Sequence, residues 1–161
     1  MTLTIEITRE DYADFNKFNF YSKGLKRTII NGVITIIFLQ LLLNYKEFKL
    51  APTLISSVAC VLVYFFLIKR SLNKSKNVPD QDGSMLGEKE VEFTDEKISY
   101  KASNAEGSIN WTAIKSFKES SKAFYLYIDA NMAVVVPKRF FKDGTQEMEF
   151  RNLVNGKIKL H

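Results

Sequence analysis

The chain has 161 residues, enough for one ordinary domain with something small beside it. Thirteen Phe, seven Tyr and abundant Ile, Leu and Val exclude a disordered chain. The formal charge is +5, but residues 77–161 carry 12 basic and 13 acidic side chains and residues 1–27 carry 5 and 4; the excess surrounds two apolar runs and does not form the basic stripe of a nucleic-acid-binding domain.

In chain order, "TLTIEI" at 2–7 alternates Leu3, Ile5 and Ile7 with polar neighbours and predicts a half-buried strand. Thr8, with Asp11 three residues on, resembles a capping box that opens a helix, with Tyr12, Phe15 and Phe18 on one face. Gly24 is expected to end or bend it. A lone strand is unstable, so residues 2–7 need a sheet, and the C-terminal part is the expected host.

Residues 28–45 and 50–68 hold no charge. As helices they rise about 27–29 Å, close to the roughly 30 Å hydrocarbon core. A soluble helix would keep a polar face, and neither run has one. The expectation is a two-helix transmembrane hairpin with a turn at 46–49 and Pro52 near the second helix start. Lys17, Lys23, Lys26 and Arg27 precede it and Lys69, Arg70, Lys74 and Lys76 follow, against Lys46 and Lys49 between, which places both termini in the cytoplasm. Tyr21, Tyr45 and Phe48 would stand near the interfaces. No ionisable group lies within the spans to make a proton or ion path. Ser56 and Cys60 have small-xxx-small spacing, which suits packing of the hairpin on itself or, alternatively, a homo-oligomer.

Residues 71–87, with Pro79, Gly83 and Gly87, read as linker. Strands are expected at "EKEVEFTD", "KISYKA", in "EGSINWTAIKSF", at "AFYLYID" and at "MAVVVP". Ala130-Asn131 makes a hairpin turn in which Asn tolerates positive φ. Phe124, Leu126 and Ile128 face one way, and Tyr125 and Tyr127 the other. Pro137 belongs at a strand end or sheet edge, since it has no amide donor. Asp143 is the expected N-cap of a closing helix, with Phe150, Leu153, Val154 and Ile158 on one face.

This organisation, with "GEKEVEFTDEKISY", "INWTAIKSFKES", "AFYLYID" and "VVVPKRFF" followed by a helix, resembles the YcxB-like family. The specific part is residues 87–154, above all the Trp111-to-Ile114 step and "PKRFF" at 137–141. The resemblance implies a small bacterial membrane protein with a C-terminal domain related to pleckstrin-homology (PH-like) folds. The expected fold is α+β: residues 1–27 a cytoplasmic strand and amphipathic helix, 28–68 the hairpin, 69–87 a linker, and 88–161 a PH-like antiparallel sheet or partial barrel closed by a C-terminal helix.

The resemblance implies no reaction, and the residues agree. Ser116, Ser120 and Ser121 have only His161 as a candidate base, Cys60 is the sole cysteine, and no glycine-rich phosphate loop follows a strand. No catalytic residue, metal or cofactor is expected. The expected role is a membrane-anchored binding or regulatory module with a protein partner, and the alternative is a structural subunit acting through its hairpin. The candidate partner-binding residues are Trp111, Pro137, Lys138, Arg139 and Phe140. For each, a place in the sheet, core or solvated strand end is the plainer reading.

Overall fold

A computed structural model describes residues 1–44, 46, 49–80 and 85–159. Tyr45, Phe48, His161 and part of the expected turn and linker lie outside the described residues. Among the described residues the chain is α+β, with two long apolar helices and seven antiparallel strands in two sheets. It divides into two compact units, Met1–Phe15 with Asn77–His161, and Asn16–Lys76.

In the first unit, β1 (Thr2–Ile7), β2 (Gly87–Phe93), β3 (Lys97–Ala102) and β4 (Glu106–Asn110) form one sheet in that order. The expected host for the N-terminal strand is thus found: Leu3 pairs with Val91 and Ile7 with Gly87. Leu3, Ile5 and Ile7 are buried, as their alternation requires. Burying side chains of this size stabilises by about 1.5–3 kcal/mol each, which holds β1 to a strand more than 80 positions away. Gly87 opens β2 at φ +91°, a backbone that favours glycine.

The second sheet is β5 (Ser116–Glu119), β6 (Ala123–Asp129) and β7 (Met132–Pro137). The step from Trp111 to Ile114, a single 3-10 turn, carries the chain from one sheet to the other. The Ala130-Asn131 turn is present, but no non-glycine residue among those described has positive φ. A register irregularity between Tyr127 and Asp129 takes up the twist that a left-handed Asn would have supplied. Pro137 ends β7, an edge strand, as expected.

Both faces of β6 are covered. Phe124 and Leu126 enter the core with Phe93, Trp111, Val136 and Phe150. On the opposite face, Phe15 of α1 (Arg9–Asn19) lies 5.5 Å from the Tyr125 ring and 6.0 Å from that of Tyr127. Thr8 and Asp11 form the expected capping box: the Thr8 amide donates to Asp11 Oδ2 at 2.8 Å, and the Asp11 amide to Thr8 Oγ1 at 3.3 Å. Helix α4 (Gly144–Lys159) starts as expected, with the Gln146 amide donating to Asp143 Oδ1 at 2.9 Å. Its Phe150 ring stands 4.9 Å from Phe93 and 5.1 Å from Phe124, so it meets a ring from each sheet.

The second unit holds α2 (Leu25–Asn44) and α3 (Leu50–Lys74). Gly24 does not end the preceding helix; a π-helical stretch, Phe20–Gly24, passes the chain to α2 without a break. Pro52 lies in the first turn of α3, where its missing amide costs nothing. Residues 71–74, expected in the linker, continue α3, because leucine and lysine support helix and no Gly or Pro intervenes. The helices touch through specific devices. Gly32 makes room for Tyr64, since an added Cβ would stand 2.4 Å from its ring. The Tyr64 hydroxyl donates to the Thr28 carbonyl at 2.8 Å, and the Gln40 amide to Ser56 Oγ at 2.9 Å. Most other apolar side chains point outward, for example Leu43 at 79% and Ile55 at 72% exposure.

Candidate functional site

The corner after β7 is built by Pro137, whose fixed φ ends the strand, and by the 3-10 turn Lys138–Phe140. The turn aims its cations along the domain, and both are engaged there. Arg139 forks onto Asp11, Nη1 to Oδ1 at 2.5 Å and Nη2 to Oδ2 at 2.7 Å, and donates to the Glu6 carbonyl at 2.8 Å. It therefore ties α1 and β1 to the β7 corner. Burial pushes the Asp11 carboxyl up, but the bonds from Arg139 and Thr8 more than offset this and hold it below the ordinary aspartate value.

Lys138 belongs to a four-charge cluster. It bonds Glu119 of β5, and Glu147 of α4 at 3.0 Å. Arg151 of α4 donates to the same two carboxylates, at 2.8 and 2.9 Å to Glu119 and 2.8 Å to Glu147. Both cations also stand over the Phe124 ring, at 4.8 and 5.4 Å from its centre. The Arg151 bonds foremost, with those of Lys138, pull Glu119 down to about 2 against the opposing effect of burial.

Trp111 is only 3% exposed and packs against Phe93, with ring centres 6.5 Å apart. Its indole N–H donates to the Thr94 carbonyl at 3.0 Å. Pro137 is buried as well, while Phe140 is half-buried beneath the Arg139 guanidinium, 4.6 Å from its ring centre. The structure thus brings Pro137, Lys138, Arg139 and Phe140 together at one corner and leaves Trp111 in the core. Of the corner residues Arg139 is exposed, and Lys138 and Phe140 are half-buried. Tyr125 and Tyr127 lie under α1, and burial pushes both phenols up. Glu119, Glu147 and Arg151 were not singled out from sequence, and Asp11 only as part of a helix cap. The i,i+4 spacing of Glu147 and Arg151 was the one local signal. Among the described residues no group of three His, Cys, Asp or Glu could hold a metal ion.

Residues 93–154 match the family described as YcxB-like protein. The matched segment begins at the last residue of β2 and ends inside α4. It contains Glu119, Lys138, Glu147 and Arg151, the whole charge cluster, but excludes β1, α1 and both apolar helices. No curated protein and no solved structure matches the chain significantly.

Proposed function

We propose that the chain is a bacterial integral membrane protein with two spans that holds a PH-like domain at the cytoplasmic face, where it acts as a non-enzymatic binding or regulatory module for a protein partner. The observation that carries the reading is the pair of helices Leu25–Leu43 and Leu50–Asn77, each with an 18-residue stretch of mean hydropathy 1.5 and 2.2 respectively, whose apolar side chains face outward. Helices with such surfaces are unfavourable in water and suited to lipid. The lysine and arginine excess at their outer flanks orients both termini inward. Seven antiparallel strands in sheets of four and three, followed by a helix that places Phe150 and Val154 in the core, support the PH-like reading and closure by that helix. On this reading the domain is interrupted, with its first strand on the far side of the membrane hairpin.

The partner face is the Arg139–Phe140 corner. Anchoring confines search to the membrane surface and raises the effective concentration of a partner there. Reversing Lys138 and Arg139 is a poor test, because it would set new carboxylates against Glu119, Glu147 and Asp11. A photo-crosslinking residue in place of Phe140, or of outward-facing Ile55 in α3, distinguishes the readings in cells. A heterologous protein captured from position 140 supports the module. Capture from position 55 alone supports the hairpin as the working part, a structural or oligomerising subunit. That alternative loses one motif, since Ser56 bonds Gln40 within the hairpin.

A further inference from the structure

Six cations of the sheet unit, Lys115, Lys122, Lys138, Arg139, Arg151 and Lys157, have carboxylate partners. Lys17 and Lys69, at the flanks of the apolar helices, differ. Within the second unit, a cleft of about 610 Å³ opens between the π-helical stretch with the start of α2 and the end of α3. Phe20, Leu25 and Ile29 form one wall; Phe65, Ile68 and Leu72 form the other. Lys17 and Lys69 line it too, and among the described residues no carboxylate does. Among the described residues neither lysine has an ion-pair or hydrogen-bond partner.

The polarity is graded along the helices. Ile29 and Phe65 lie inside the uncharged runs 28–45 and 50–68, whereas Lys17 and Asn73 lie outside them. From Phe65 to Asn73 α3 rises about 12 Å. An apolar slot deep in the span with two uncommitted cations near its outer end matches one molecule in its natural orientation, a phospholipid with its chains inward and its phosphate at the flank. The volume lies in the range of small-molecule pockets, about 300–1,000 Å³. Basic pockets between spans on the cytoplasmic side suit acidic headgroups.

We propose that this cleft is a binding site for an anionic glycerophospholipid of the inner leaflet, with Lys17 and Lys69 on the phosphate and the Ile29–Phe65 end on an acyl chain. The proposal rests on the membrane reading above. Its test is native mass spectrometry of the purified full chain in detergent, with added phosphatidylglycerol or phosphatidylcholine of the same chain length.

The expected result is a phosphatidylglycerol adduct favoured about tenfold or more, reduced about tenfold in Lys17→Ala/Lys69→Ala. Lys26→Ala/Arg27→Ala, on the same flank but not lining the cleft, should change it less than about twofold. Ile29→Trp, which fills the apolar end, should also abolish the adduct. Equal binding of the two lipids overturns the proposal, as does equal loss in both double variants or an unchanged adduct in Ile29→Trp. Adducts with glycerol phosphate, which has the headgroup chemistry without chains, overturn it as well. Alkaline carbonate washing of membranes separates the two readings: a wild-type chain that stays in the membrane but shows no lipid preference sinks the cleft alone, and one that washes off sinks the anchor.

Discussion

Arg139 and Asp11 stand 128 positions apart, and their pairing should be measurable as a coupling energy. Arg139→Ala removes two bonds to the carboxylate and one to the Glu6 carbonyl. A hydrogen bond to a charged group contributes about 1.5–3 kcal/mol where shielded, and an exposed ion pair about 0.2–1 kcal/mol. Arg139 is 47% exposed and Asp11 only 11%, so screening is partial and the coupling should be about 1–2 kcal/mol. Asp11→Ala costs about 1 kcal/mol more, because the bonds from the Thr8 amide and hydroxyl to its carboxylate go with it. The assay is guanidinium unfolding of the full chain in detergent micelles, read by the fluorescence of Trp111, the only tryptophan, in a double-mutant cycle. The pH dependence has a fixed sign. The Asp11 value is depressed in the folded chain, so its contribution is complete above the unfolded value near 4 and is lost as pH falls through the folded one. The gap between wild type and Arg139→Ala should therefore narrow below about pH 4. A coupling under about 0.3 kcal/mol, or a gap unchanged down to about pH 2, would refute the clamp.

Three further outcomes are expected. Residues 77–161 alone should fail to give cooperative unfolding, and a peptide of residues 1–19 added in trans should restore it; cooperative unfolding of the bare fragment would deny β1 and α1 a structural role. Phe15→Ala in that peptide should weaken rescue by about 3–5 kcal/mol, the usual cost of emptying a buried Phe site. Gly32→Ala should separate α2 from α3 because Tyr64 fills the space, and Gln40→Leu should cost about 0.6–2 kcal/mol; both are read as loss of a disulfide engineered between the helices. Glu119 has a folded value of about 2, so its stabilisation is present above the unfolded value near 4.3 and is lost toward pH 2; Glu119→Gln should flatten the acid unfolding curve in that window.

Local signals carried much of the fold. The alternation at 2–7, the Thr8–Asp11 and Asp143–Gln146 caps and the uncharged runs each needed only neighbouring residues, and each marks an element in place. What escaped depended on distance in sequence. Tyr125 and Tyr127 looked like a sheet's outward face, because nothing nearby shows that α1 covers them. Trp111 suggested a contact residue, yet it sits where the chain leaves one sheet for the other and its N–H is taken by Thr94. Lys138 and Arg139 read as a solvated pair, since their carboxylates come from α1, β5 and α4. Gln40 in an apolar run had no account until Ser56, on the other helix, supplied its acceptor.

The pairing of β1 with β2 also sets an order of events during synthesis. The first strand leaves the ribosome before either apolar helix, but its partner is made only after both. At about 5–20 residues per second the interval is on the order of ten seconds. For that time Leu3, Ile5 and Phe15 have neither sheet nor tyrosines to cover them, while both apolar helices emerge behind them. The nascent N-terminus thus waits with its apolar side chains uncovered, and the sheet becomes whole only after both apolar helices have been made.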